Sequence, residues 1–315
     1  MLPEHTPDVL RETGSSAEEI TAGARYDITN VLLTLAWLGE ATLNQLHRIC
    51  FPGCSLGTAK RVLMQLMKEG YVEQRTWGVS HGIGRHGKPL PRNRPPLRSL
   101  TRAGYALIEN EAAYPTKPRK PRSALLLNHD SMTTEIVVRI IELGRSVGMS
   151  GLWIEHEVQL DPNRSRPVMD AFVVVRLGGA PVPPYQVPWT KDGRMEGERS
   201  GRLAIENDRA TEGRREIQLK AESYQRAGTK AWMMQYGVFP IPTWVVPTPR
   251  RLSDILQWWS GAWPSGRWMM TTDEGLQRDQ WIEYQGGRVA AKPLFRQASA
   301  APLEWVPVGE WLGGR

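Results

Sequence analysis

Cysteine is nearly absent from this chain, with only Cys50 and Cys54 among 315 residues. That scarcity excludes a disulfide-stapled secreted fold and fits a reducing cytoplasm. Long apolar runs are missing too. The longest, Val31 to Leu38, is broken by Thr34 and falls far short of the roughly 20 residues that span a membrane. The first residues are polar and acidic, without the apolar stretch of a signal peptide. No Gly-rich loop ending in Gly-Lys-Ser/Thr is present, which speaks against an NTPase. No His-x-His cluster with a downstream Tyr points to transesterase chemistry, and no internal repeat is found. The last absence is the most informative. From Gln74 to Ile108 there is no Asp or Glu.

That acid-free stretch holds Arg75, Arg85, Lys88, Arg92, Arg94, Arg98 and Arg102, in a chain whose net charge is only +7. The placement of charge therefore matters more than its amount. Around it the apolar spacing predicts a compact unit. Ile28, Val31, Leu32, Leu35 and Leu38 mark one helix face, and Leu43, Leu46 and Ile49 mark a second behind a Thr42 cap. Pro52 and Gly53 break the chain. Ser55 then caps a third helix with Val62, Leu63, Leu66 and Met67 inward, closed by Gly70. Alternation predicts a strand over 71–77 and a return strand over 97–100, with a helix from Thr101. This order is that of a winged helix-turn-helix. Lys60 and Arg61 would then sit on the recognition helix, and Arg75, Arg85, Lys88, Arg92, Arg94 and Arg98 on the wing, where phosphate contacts dominate affinity. A stiff basic linker follows from Pro115, in which Lys117, Arg119 and Lys120 could track a duplex backbone or be a solvated spacer. A protein–protein module with a solvated basic loop is the alternative for the whole unit.

Length predicts a second domain. The expected division is a leader over 1–24, a DNA-binding unit over 25–114, a linker over 115–123, an α/β domain over 124–260 and a Trp-rich extension over 261–315. In the α/β domain a helix is expected over 128–144, and strands over 153–160, 168–177, 202–206 and 238–246. Pro240 and Pro242 suggest that the last lies at an edge or a bulge. Helices are expected over 212–227 and 249–259, the second opened by Pro249. Asp170 lies just before an apolar strand core, and Glu206 and Asp208 close the next strand two residues apart, on one side of it. Such carboxylates could share Mg²⁺ or Mn²⁺, which would activate water for phosphodiester hydrolysis. The plainer reading is that they cap or pair with nearby Arg209, Arg214 and Arg215.

Cys50, Cys54, His81 and His86 do not read as a zinc site, because their spacing departs from paired-ligand patterns. Cys50 reads as a small core residue, and His129 as a structural histidine. Trp263, Trp268, Trp281, Trp305 and Trp311 punctuate the tail, where they would cover the α/β core or, if exposed, stack bases or anchor a partner.

The segment from Asp170 to Asp208 resembles a PD-(D/E)XK nuclease core. Met169 stands where that pattern has Pro, and Asp208 stands where it has Lys. Lys220-x-x-x-Tyr224 is similar to the helix of the RecB-like branch, so the resemblance implies that Lys220 could replace the strand lysine. It also implies that Glu135 could add an acid. Across both domains the chain resembles the replication-relaxation family. The resembling segments are Phe51-Pro52-Gly53, Leu100-Thr101-Arg102-Ala103-Gly104, His129 to Glu135, Glu206-Asn207-Asp208-Arg209-Ala210-Thr211-Glu212 and Val246-Pro247-Thr248-Pro249. Ala210 stands where the family favours Gly. The resemblance implies an α/β protein with a winged helix joined to a restriction-endonuclease-like domain. Its partner would be double-stranded DNA of a bacterial plasmid, phage or integrative element, in the cytoplasm with nucleoid or plasmid. A second copy or an element-encoded protein is a further possible partner. Either a DNA-binding accessory protein or a metal-dependent nuclease would fit.

Overall fold

The computed structural model describes residues 27–75, 95–109, 124–160, 168–178, 182, 185–190, 200–227, 239–295 and 301–313. The leader, the linker, and Arg85, Lys88, Arg92, Arg94, Lys117, Arg119, Lys120, His81 and His86 lie outside the described residues.

The chain opens with α1 (Ile28–Leu38), a short β1 (Ala41–Thr42), α2 (Leu43–Cys50) and α3 (Leu56–Lys68). Each helix starts where the sequence supplies a side-chain acceptor for its orphan amides. Asp27 accepts from Thr29, Thr42 and Gln45 form a reciprocal capping box, and Ser55 accepts from Thr58. Gly70 ends α3 with φ of 80°, in the left-handed region, while Tyr71 donates back to Leu66. β2 (Val72–Arg75) and β3 (Leu97–Leu100) form an antiparallel pair, with β1 on the other side of β3. α4 (Arg102–Ile108) follows, capped by Thr101. A Cβ on Gly104 would stand 2.2 Å from the Tyr71 carbonyl oxygen, so only glycine lets α4 lie this close to β2.

The remainder is mixed α/β, built on an eight-stranded sheet. Its elements are α5 (Ala124–Ser146), β4 (Met149–Gln159), β5 (Val168–Leu177), β6 (Ser200–Asn207), α6 (Arg214–Ala227), β7 (Ile241–Val246), α7 (Pro249–Ala262), β8 (Arg267–Thr272), α8 (Asp273–Gln277), β9 (Trp281–Gln285), β10 (Arg288–Lys292), β11 (Val306–Pro307) and α9 (Val308–Gly313). Strand order is β11-β10-β9-β8-β7-β6-β5-β4. Only β6, β7 and β8 run parallel, and α6 and α7 make the crossovers between them.

Alternation in the strands serves two cores. Ala171, Val173 and Val175 face α5 and the N-terminal helices, whereas Phe172 and Val174 face α6 and α7. The first cluster runs from Val31 of α1 through Ile136 of α5 to Val175 of β5 without a break. Cys50 belongs to it and is fully buried. Between the two units, Trp37 stacks on Trp189 at 5.3 Å, and Asn30 exchanges hydrogen bonds with the Val187 backbone.

One expectation changes. β7 is not an edge strand but lies between β6 and β8. Pro242 is tolerated because the ladder to β8 begins only at Thr243, so the proline sits at the opening of the strand. The tail tryptophans Trp263, Trp268, Trp281 and Trp311 cover the core, as expected, and they do so from an extension of the sheet. The tail supplies β8 to β11, with Trp268 and Trp281 buried and Trp268 stacked on Tyr284 at 3.7 Å. No helix among the described residues is long and apolar enough to cross a membrane.

Candidate active site

Asp170 and Glu206 meet because β5 and β6 pair antiparallel. Ala171 faces Ile205, and the two acids lie one step further on, on the side of the sheet covered by α6. One turn of α6 brings Lys220 and Tyr224 over them. Lys220 Nζ stands 2.6 Å from Glu206 Oε2, and the Tyr224 hydroxyl donates to Glu206 Oε1 at 2.7 Å. Lys220 also reaches Glu212 at 3.0 Å and lies over the Trp244 ring. Glu206 is fully buried, and that burial pushes its carboxyl up to about 7 against the pull of the Lys220 ammonium. For Lys220, burial is outweighed by Glu206, Glu212 and Asp170, which hold it protonated well above its usual range.

From the opposite layer, α5 contributes His129. Its Nε2 lies 3.4 Å from Asp170 Oδ2 and 3.2 Å from the Asn207 carbonyl oxygen. Burial works against a charged ring, but Asp130 and Asp170 raise its pKa to about 10. Asp170 Oδ2 also accepts the Asn207 backbone N–H at 2.6 Å. The Asn207 amide donates to the His129 carbonyl and to the Thr133 hydroxyl, tying the end of β6 to α5.

The other expected acids are placed elsewhere. The Asp208 carboxylate is buried under Arg251 of α7, which binds both its oxygens and also donates to the Glu212 carbonyl. Asp208 further accepts from Ala210 N, so it organises the 208–212 turn. Within that turn Ala210 takes φ of 59°, a conformation suited to glycine. Six residues of helix turn through about 240°, so Glu135 leaves the His129 side of α5. It pairs instead with Arg48 of α2 and accepts from Gln45. Arg48 also grips Glu142, and together with Arg139 it holds that carboxyl below the usual range despite burial.

A divalent cation on Glu206, Asp208 or Glu135 would have to share or displace protein donors, whereas at Asp170, among the described residues, only Oδ2 accepts a hydrogen bond, from Asn207 N–H. Both Glu206 oxygens, both Asp208 oxygens and both Glu135 oxygens already accept from protein donors. Among the described residues no group of three His, Cys, Asp or Glu could hold a metal ion. The cations that neutralise Glu206 and Asp208 are not the neighbouring Arg209, Arg214 or Arg215. Arg209 pairs with Asp273 of α8 and with Asn207.

On the N-terminal unit, Lys60 and Arg61 are exposed on α3. Arg75 is held by Glu40 and Glu73, at 2.8 Å each. Arg98 is buried, because β3 is the middle strand, and it donates to the Pro96 carbonyl. Glu40 and Glu73 thus reach the acid-free stretch from outside it and neutralise Arg75, whereas Arg98 is withdrawn by burial and not by an acid. Sequence reasoning missed Arg251, Asn207 and the place of His129. His129 lies in a segment quoted for the family resemblance, whereas Arg251 gives no local signal, being 43 residues from Asp208.

Comparison with known proteins gives one match. The family described as replication-relaxation matches residues 32–241, about two thirds of the chain, covering the N-terminal helices and the acid-bearing strands. It supports a replication-related function. Neither a curated protein nor a solved structure matches.

Proposed function

The chain belongs to the replication-relaxation family, and we propose that it binds double-stranded DNA of a bacterial mobile element as a replication or transfer accessory or regulator. In this reading α1 to α3 with the β2–β3 hairpin form a winged helix-turn-helix, and α3 enters the major groove. The domain built on α5 and the large sheet is a PD-(D/E)XK-type scaffold that has given up cleavage. The observation that carries the reading is the opposite fate of cations and acids. Lys60 and Arg61 stand exposed on α3. Glu206, Asp208 and Glu135 are each closed by a protein cation.

One observation favours a second reading, a metal-dependent DNA nuclease targeted by the same winged helix. Lys220 reaches Glu206 from α6, which would replace a lysine missing from the strand. Supercoiled and linear DNA incubated with Mg²⁺ or Mn²⁺ separates the two, using the wild-type chain, Asp170→Ala and Glu206→Ala. Binding without cutting on either substrate is expected. Metal-dependent cutting that both variants lose would overturn the scaffold reading.

A further inference from the structure

The outer face of α3 carries more than charge. At 100° per residue, Leu56, Lys60, Met64, Gly57, Lys68 and Arg61 follow one another across about 140° of arc. The other side of the helix is buried through Ala59, Val62, Leu63 and Leu66. Leu56 is 48% exposed and Met64 54%, two of the four large hydrophobic residues that the described chain leaves exposed. The only acid on α3 or its cap is Glu69, which takes up Gln65. A Cβ on Gly57 would meet nothing nearer than Ser55 Oγ at 3.5 Å, so beside Lys60 and Arg61, two turns before Met64, the helix presents bare backbone. An apolar side chain at the centre of a cationic face suits a partner with negative rims and an apolar floor. The major groove has both, in its phosphates and in the thymine methyl groups.

We infer that α3 reads base sequence, with Met64 packing on a thymine methyl and Lys60 donating to guanine O6 or N7. Arg61 and Lys68, at the margin of the face, contact phosphates. This inference rests on the duplex-binding reading above. Lys60 and Met64 are separated by about 6 Å of helix rise, which is one to two base-pair steps of about 3.4 Å each. The preferred site therefore holds a guanine and a thymine within two steps of each other.

The test selects sites for the full chain from a library of random 30-base-pair duplexes. It then measures binding to the selected duplex with that thymine replaced by uracil, which removes only the methyl. A consensus with guanine and thymine within two steps is expected. Uracil should weaken wild-type binding about fourfold, the worth of one buried methyl. It should leave Met64→Ala unchanged, and Lys60→Ala should lose its preference for the guanine. Both side chains are exposed, so these variants keep the fold, and thermal unfolding confirms it. Binding with no consensus, or an equal uracil effect in wild type and Met64→Ala, overturns the inference while duplex binding stands. Failure to bind any duplex overturns both.

Discussion

Lys220 Nζ and Glu206 Oε2 lie 2.6 Å apart, joining α6 to the end of β6 beneath a layer that leaves the glutamate no exposure. Breaking a buried pair on one side strands a charge, while removing both charges largely restores balance. Lys220→Met is therefore expected to destabilise the chain by about 3 kcal/mol. Adding Glu206→Gln, which still accepts from Tyr224, should recover most of that loss. Urea unfolding of the two variants checks it, and equal instability would show that the pair does not act as a unit.

His129 sets a pH dependence. Its pKa is raised from 6.5 to about 10 in the folded chain, chiefly against burial and by Asp130 and Asp170. The folded state therefore holds its proton more tightly than the unfolded one. That stabilisation is complete below pH 6.5 and is lost as pH rises through 10. The ring is a third exposed, so after solvent screening about 1 kcal/mol is expected. Denaturant unfolding at several pH values should show this loss in wild type and not in His129→Gln.

Gly104 lies against the Tyr71 carbonyl, at a distance no Cβ tolerates. Gly104→Ala should push α4 off β2 and lower stability by about 2 kcal/mol, despite the better helix propensity of alanine. A rise in melting temperature would contradict the close approach.

Ala210 shows the opposite case. Its φ of 59° costs an L-residue about 1 kcal/mol. Ala210→Gly should relieve that strain and stabilise the chain by about 0.5 kcal/mol once the greater freedom of unfolded glycine is counted. Calorimetry of the single variant measures it.

The local chemistry of the chain was legible in its sequence, and the long-range pairing was not. Thr42, Ser55, Thr101 and Gly70 mark helix ends because caps act within three residues. The facing of Asp170 and Glu206 followed from two strands in succession. Arg251 on Asp208 and Arg48 on Glu135 did not, because the partners lie 43 and 87 residues apart and only the packing of helices on the sheet unites them. The surroundings of the charges were hidden for a related reason. Arg75 and Arg98 look free in an acid-free window, yet Glu40 arrives from the α1–β1 turn and β3 becomes a middle strand. In the tail the tryptophans marked burial, while the glycines and prolines gave no sign of the short strands between them.

Salt dependence of duplex binding tests the central claim most directly. Equilibrium affinity of the full chain for a 30-base-pair duplex is measured between about 50 and 200 mM salt, for wild type and for Arg61→Ala with Lys68→Ala. Wild-type affinity should fall steeply with salt. The slope should be smaller by about 2 in the double variant, because two phosphates are no longer neutralised by the protein. An unchanged slope, or no duplex binding by the wild-type chain, would contradict the account.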